Sequence, residues 1–261
     1  MERSFFQDLW DAFELARHRY VYLIGGGGKT SAMYALAQAA LLQSRDVLTS
    51  TSTRIFAPPH GLYLVPTQAA LLELLRARQG HTTAAARRVN TLQSALDEVE
   101  PWAQIGPGEG KTKVQGFCLE SLDAVYSQWS GHVLIEADGS AGRSLKAHAA
   151  WEPVVSPCAE LVVLVVGADV LGAALDERWV HRSALFAELH GLQLGQTLDA
   201  EQIAAALCSP AGYLRELPKT AALTFLVSKA GAFRAQAEQL GQALLRHGLG
   251  TVLLAELLRA I

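Results

Sequence analysis

The chain has 261 residues, of which 50% are hydrophobic and 18% charged, with a mean hydropathy of +0.18. This excludes a disordered chain and predicts a compact protein whose core needs no disulfide or metal. Lys and Arg number 22 against 25 Asp and Glu, a formal charge of −3, so the cationic excess of a nucleic-acid binder is missing. Cys118, Cys158 and Cys208 lie too far apart for zinc or iron–sulfur spacing and read as reduced thiols. The first residues, Met-Glu-Arg-Ser-Phe-Phe-Gln-Asp, contain no apolar leader, and the most apolar run, Leu161 to Ala168, is cut at Asp169. A cytoplasmic protein without a membrane span is expected.

Residues 4 to 18 carry Phe5, Phe6, Leu9, Trp10, Phe13 and Leu15 at helical spacing, an amphipathic lead-in helix. Tyr20 to Ile24 reads as a short buried strand, four glycines follow, and the Ala- and Leu-rich segment 31 to 43 reads as a helix. Asp46 to Ser50 is a second strand that leaves through the hydroxyl-rich string Thr49 to Thr53 towards Pro58-Pro59. Leu62 to Val65 is a short strand, and 67 to 78 a helix capped by Thr67. Between Gln79 and Gly116, Pro101, Gly106-Pro107-Gly108 and Gly110 break the pattern into irregular strands and loops. Leu119 to Trp129 is helical, His132 to Glu136 is a buried strand, and Glu160 to Val166, nearly all Val and Leu, is the strongest strand of the chain. Helices are expected at 181 to 190, 199 to 208, 210 to 216 and 232 to 247, with strands at Ala222 to Val227 and Gly250 to Leu254. Buried strands alternating with helices predict an α/β fold, a mainly parallel sheet with helices on both faces. The reading is a single P-loop NTPase-like domain over 1–261 with a helical insertion around 180–220.

Gly25-Gly26-Gly27-Gly28-Lys29-Thr30-Ser31 stands between a buried strand and a helix, the context that a phosphate-binding loop requires. Glycines let backbone N–H groups turn towards a phosphate, Lys29 offers a point charge to the β- and γ-oxygens, and the Thr30 hydroxyl can ligate Mg²⁺. The strict Walker A spacing needs glycine where Leu23 stands. The Gly-Gly-x-Gly-Lys-[Ser/Thr] core resembles the variant loop of the MinD/ParA and signal-recognition group, with Ile24 where MinD/ParA proteins place an additional lysine. A dinucleotide loop fits less well, because its third glycine would be Thr30 and no acid ends the second strand. A merely structural glycine turn is the remaining alternative.

Such a loop calls for a carboxylate at a neighbouring strand end, and Glu136 and Asp138 lie on one side of an extended chain. They are candidates to share a metal, or to divide into metal ligand and water-orienting base. Arg143 and Lys146 follow within eight residues of Asp138 as candidates to offset phosphate charge, against the plain reading as surface cations. Thr51 and Thr53 are candidate Mg²⁺ or substrate contacts, or simply a hydroxyl-rich turn. His181 and Arg182 open a predicted helix and have no role on composition alone. Ala222 to Gly231 resembles the strand and Asn-Lys-x-Asp motif of P-loop GTPases, but Ser228 replaces the Asn and Gly231 the base-pairing Asp. Guanine specificity is therefore unsupported by the sequence, and Lys229 is left to pack its stem on a base.

Together with Gly110 to Gly116, Glu136 to Ser140, Lys146, Glu152-Pro153, Val166 to Asp169 and His181-Arg182, these motifs resemble, in order along residues 20 to 231, the YqeC family. That family is described as accessory to selenium-dependent hydroxylases or to selenium-cofactor biosynthesis. The resemblance implies a P-loop nucleotide-binding protein linked to maturation of molybdenum hydroxylases, with a hydroxylase or its maturation proteins as partners. It places Lys29 and Thr30 at the phosphates, Glu136 and Asp138 at the metal, and Lys146, His181 and Arg182 nearby. The expectation is a Mg²⁺-dependent protein that binds ATP, with GTP as the other nucleotide, and that hydrolyses it or transfers its γ-phosphate. A non-catalytic nucleotide-dependent switch or carrier, and a small-molecule kinase or ATP-dependent ligase, are the alternatives.

Overall fold

The computed structural model describes residues 2–56, 62–88, 103–105 and 113–256. The described residues of Met1–Val21 and Met33–Ala137 form one compact unit, and those of Tyr22–Ala32 and Asp138–Arg259 a second. The loop segments at Pro58-Pro59, Pro101 and Gly106 to Lys111 lie outside the described residues. In chain order the first elements are α1 (Glu2–Ala12), β1 (Tyr20–Gly25), α2 (Lys29–Leu42), β2 (Val47–Thr51), β3 (Arg54–Phe56) and β4 (Leu62–Leu64). They are followed by α3 (Gln68–Ala77), β5 (His81–Ala85), β6 (Arg87–Arg88), β7 (Ala103–Ile105), β8 (Lys113–Gln115), α4 (Leu119–Gln128) and β9 (His132–Glu136). Next come β10 (Leu145–Lys146), β11 (Leu161–Gly167), a 3-10 turn (Ala168–Val170), β12 (Val180–His181) and α5 (Ser183–His190). The chain continues through α6 (Ala200–Leu207), β13 (Ala222–Ser228), α7 (Arg234–His247) and β14 (Thr251–Leu254).

In the first unit the strands lie in the order β9-β2-β5-β4-β7. β2 is parallel to β9 and β5, β4 is parallel to β5, and only the edge strand β7 runs antiparallel. β2 and β9 are buried along their whole length, which suits strands covered on both faces. A small antiparallel sheet, β3-β8-β6, stands apart from these. Gly116, just past β8, lies so close to the Thr51 carbonyl that a Cβ would fall 1.5 Å from its oxygen, so only glycine fits.

In the second unit the order is β14-β13-β11-β1. β11 pairs in parallel with β13 from Leu161↔Ala222 to Gly167↔Ser228, and β13 with β14. All seven residues of β11 are buried, and each of its Val and Leu side chains contributes about 1.5–3 kcal/mol by leaving water. The register brings the C-terminal ends of β11 and β13 to one level, Gly167 beside Ser228, where open α/β sheets bind ligands.

The mainly parallel α/β fold expected from the strand pattern is thus observed. Thr67 caps α3 as expected, its hydroxyl accepting from the Ala70 amide at 3.2 Å. Three expectations are corrected. The lead-in helix stops at Ala12 rather than at 18. His181 ends β12, paired with Lys146, and the helix starts only at Ser183 after Arg182 in the left-handed region at φ 59°. Residues 210–216 are turns, not helix: Tyr213 is buried with its hydroxyl on the Lys146 backbone, and Arg215 donates to the Ala149 carbonyl at 3.1 Å. Those tertiary bonds outweigh a weak helical preference in so short a segment. Among the described residues no helix is long and apolar enough to cross a membrane.

Candidate functional site

The glycine loop closes β1 and opens α2. Gly25, Gly27 and Gly28 have φ of 97°, 77° and 114°, conformations that side-chain-bearing residues avoid. Space forbids a side chain as well: a Cβ on Gly26 would lie 2.7 Å from the Arg143 carbonyl oxygen, and one on Gly27 2.3 Å from the Gly167 amide. The loop is tied down by its own amides. Gly25 N–H donates to Asp138 Oδ2 at 2.8 Å, Gly26 N–H to the Val165 carbonyl at 2.9 Å and Gly27 N–H to the Arg143 carbonyl at 2.8 Å. The Ser228 hydroxyl caps the Gly27 carbonyl and also reaches that of Val166 at 3.2 Å. Glycine N–H groups expected from the sequence to face a phosphate are in this way spent on protein acceptors as far as Gly27.

Lys29, the first residue of α2, is buried. Its ammonium donates to the Gly25 carbonyl at 2.7 Å and pairs with Asp138 Oδ1 at 3.0 Å. Gly28 and Thr30 are exposed beside it, and Ser31 is half-buried. Asp138 is completely buried and is the hub of the site: its Oδ2 also receives His148 Nε2 at 2.5 Å and lies 3.5 Å from Lys146 Nζ. Burial by itself raises the Asp138 carboxyl, but Lys29, the His148 hydrogen bond and Lys146 hold it well below the usual carboxylate range. It is therefore ionised, and His148 Nε2 carries the proton it donates.

Lys146 links this hub to a second carboxylate. Its ammonium donates to the Gly139 carbonyl at 2.8 Å and to Glu152 Oε2 at 2.9 Å, and the same Glu152 oxygen accepts from Arg182 Nη1. Arg182 also donates to the Ala147 carbonyl at 3.1 Å. Burial would raise the Glu152 carboxyl, whereas Arg182 and Lys146 hold it below its ordinary value. His181 is pushed down, first by burial and then by the Arg182 and Lys146 charges. Lys229 adopts φ 61° after β13 and places its ammonium 2.7 Å from Ser144 Oγ and 2.6 Å from Asp169 Oδ2.

The second unit therefore assembles Gly25 to Ser31, Asp138, Lys146, Arg182 and Lys229 around one loop. The Arg143 guanidinium donates to the Glu177 and Ala141 carbonyls, and its own carbonyl holds Gly27. Glu136, Thr51 and Thr53 belong to the first unit. There Thr51 Oγ1 donates to the Glu136 carbonyl at 2.7 Å and lies 3.2 Å from Thr53 Oγ1. Nearby, Thr49 Oγ1 bonds His81 Nε2 and Thr83 Oγ1, each at 2.8 Å. The Tyr34 hydroxyl is pushed up to about 12, chiefly by burial.

Asp138 Oδ2 accepts from the Gly25 amide and from His148, while its Oδ1 faces the Lys29 ammonium and accepts no hydrogen bond among the described residues. Among the described residues no group of three or more His, Cys, Asp or Glu stands ready to hold a metal ion. Thr30, exposed on the first turn of α2, remains compatible with one. Sequence reasoning missed His148, Ser144 and Tyr213, whose ring packs on His148 with centroids 4.5 Å apart. The available signal for His148 was its spacing of two from Lys146, which puts both side chains on one side of an extended segment. Ser144 and Tyr213 carried no such signal.

Comparison with known proteins agrees with this arrangement of motifs. An Escherichia coli K12 protein, described as uncharacterized protein YqeC, is 30% identical over 205 residues, 78% of this chain and 73% of that protein. No experimentally determined structure matches the chain. The model of the YqeC protein family matches residues 21–184, from the strand before the glycine loop to the start of α5. With the loop, Asp138, Lys146, Glu152 and Arg182 all inside that span, the chain belongs to the YqeC family.

Proposed function

We propose that this protein binds a nucleoside triphosphate at the glycine loop. The observation that carries the reading is Lys29: a buried ammonium at the start of a helix, held on the loop's own Gly25 carbonyl and on Asp138, behind three glycines in conformations that keep side chains away. A phosphate arriving there meets Lys29 and the positive end of the α2 macrodipole. Lys29 exchanges its carbonyl for the phosphate oxygens. Asp138 stays ionised through that exchange, because Gly25 N–H, His148 and Lys146 remain on it. Magnesium bound with the triphosphate would supply charge neutralisation, with Thr30 as the hydroxyl in place to meet it.

Titration calorimetry of the wild type and of Lys29→Ala with ATP and GTP, with and without Mg²⁺, tests this reading. Binding that falls at least about a hundredfold in Lys29→Ala supports it, and equal affinity in the two proteins refutes it. A nucleotide-dependent switch that hydrolyses little is the second reading. It is favoured by the ion pairs in which Asp138 and Glu152 are already engaged, Asp138 with Lys29, Lys146 and His148 and Glu152 with Lys146 and Arg182. Turnover well below one per minute, together with a nucleotide-dependent change in protease protection, would select it. A role in maturation of selenium-dependent molybdenum hydroxylases rests on family membership alone; no residue of the site marks selenium chemistry.

A further inference from the structure

β13 and β14 end side by side, and the structure puts a carboxylate where the sequence has none. After β13 the chain runs Ser228, Lys229, Ala230, Gly231; after β14 it runs Ala255, Glu256. Ala255 N–H donates to the Val227 carbonyl at 3.0 Å, and Ala230 N–H to the Ala255 carbonyl at 3.2 Å, so the two segments are held in register. Gly231 N–H donates to Glu256 Oε2 at 2.7 Å. A Cβ built on Gly231 would lie 2.8 Å from that oxygen, 3.1 Å from Glu256 Cγ and 3.2 Å from its Cβ. The Glu256 side chain thus fills the volume that a side chain at position 231 would take.

This carboxylate belongs to the loop side of the unit. Ser228 bonds the Gly27 carbonyl directly, and Lys229 is anchored on Ser144 and Asp169. With β11 and β13 counted outward from β1 and strands about 4.8 Å apart, Glu256 stands two to three strand spacings from the loop, at the same strand ends. The α-phosphate, ribose and base of a nucleotide together span such a gap. One Glu256 oxygen is pinned by the Gly231 amide, and the carboxylate retains further lone pairs that only accept hydrogen bonds.

We propose that Glu256 reads the base of the bound nucleotide and selects guanine, an inference that rests on the triphosphate reading. Guanine offers two adjacent donors, N1–H and the exocyclic amino group, to a carboxylate. Adenine presents an unprotonated N1 at the corresponding edge, an acceptor that a carboxylate cannot pair with. Xanthine keeps N1–H but has a carbonyl in place of the amino group. Glutamine at 256, which accepts through one atom and donates through the other, suits xanthine instead and still accepts from the Gly231 amide.

The test is calorimetric titration of the full chain and of Glu256→Gln with GTP, ATP and XTP. We expect the wild type to bind GTP at least about tenfold tighter than ATP, and Glu256→Gln to lose that preference and gain XTP. A smaller GTP preference in the wild type, or a GTP to XTP ratio unchanged in Glu256→Gln, overturns the assignment while leaving the triphosphate site standing. Absence of binding for all three nucleotides overturns both.

Discussion

The buried hub at Asp138 sets the energetic character of the site. A carboxylate without solvent is tolerable only while its partners stay charged and close, and here Lys29, His148 and Lys146 lie at 3.0, 2.5 and 3.5 Å. Asp138→Asn strands the two ammonium groups and should lower unfolding stability by about 3–5 kcal/mol, measured as a shift of the urea midpoint. Lys146→Met should lower the midpoint by less, because Glu152 keeps Arg182 and Asp138 keeps Lys29 and His148. If Asp138→Asn unfolds like the wild type, the hub is not what holds the loop. His148 Nδ1 is buried without a hydrogen-bond partner among the described residues, the mark of a side chain placed for its Nε2 bond to Asp138.

Among the elements, the glycine loop and the helices answer to different rules. The loop depends on backbone contact: Gly27 at φ 77° faces the Gly167 amide at a distance no Cβ accepts. Gly27→Ala should therefore cost several-fold more triphosphate affinity than Gly28→Ala, where nothing lies within 4 Å, although both residues have positive φ. The helices depend on local capping. α6 begins with a full capping box between Asp199 and Gln202, and Asp199→Ala should cost about 1 kcal/mol of stability with nucleotide binding unchanged. A binding loss in that variant would mean that α6 communicates with the loop.

For the molecule as a whole, acid titration runs in one direction. Asp138 and Glu152 have folded values below 3.8 and 4.5, and His181 and His190 below 6.5. In each case the unfolded chain binds protons first as pH falls, so stability is full above these ordinary values and is lost on acidification. Stability should start to fall near pH 6.5, through the histidines, and fall further below about 4.5 through the carboxylates. Urea midpoints at pH 7.5 and 5.5 check this, and His181→Gln with His190→Gln should flatten the difference. A midpoint that rises on acidification contradicts the assignment.

The strands, most helices and the glycine loop were legible in the sequence because they are local: buried runs such as Leu161–Gly167, the Thr67 cap and the Gly-rich turn each carry their signal within about ten residues. The chain's own motifs also point to the YqeC family. Tertiary structure alone decided what depends on residues far apart in the chain. It turned 210–216 from helix into a buried turn on Lys146, set the Arg143 carbonyl on the Gly27 amide, and brought His148 onto Asp138. It also placed Glu256 in the space left by Gly231, 25 residues earlier. The physical reason is the same throughout: hydrogen bonds and ion pairs between distant segments leave no periodicity in sequence, and a glycine cannot show which side chain will occupy the room it leaves.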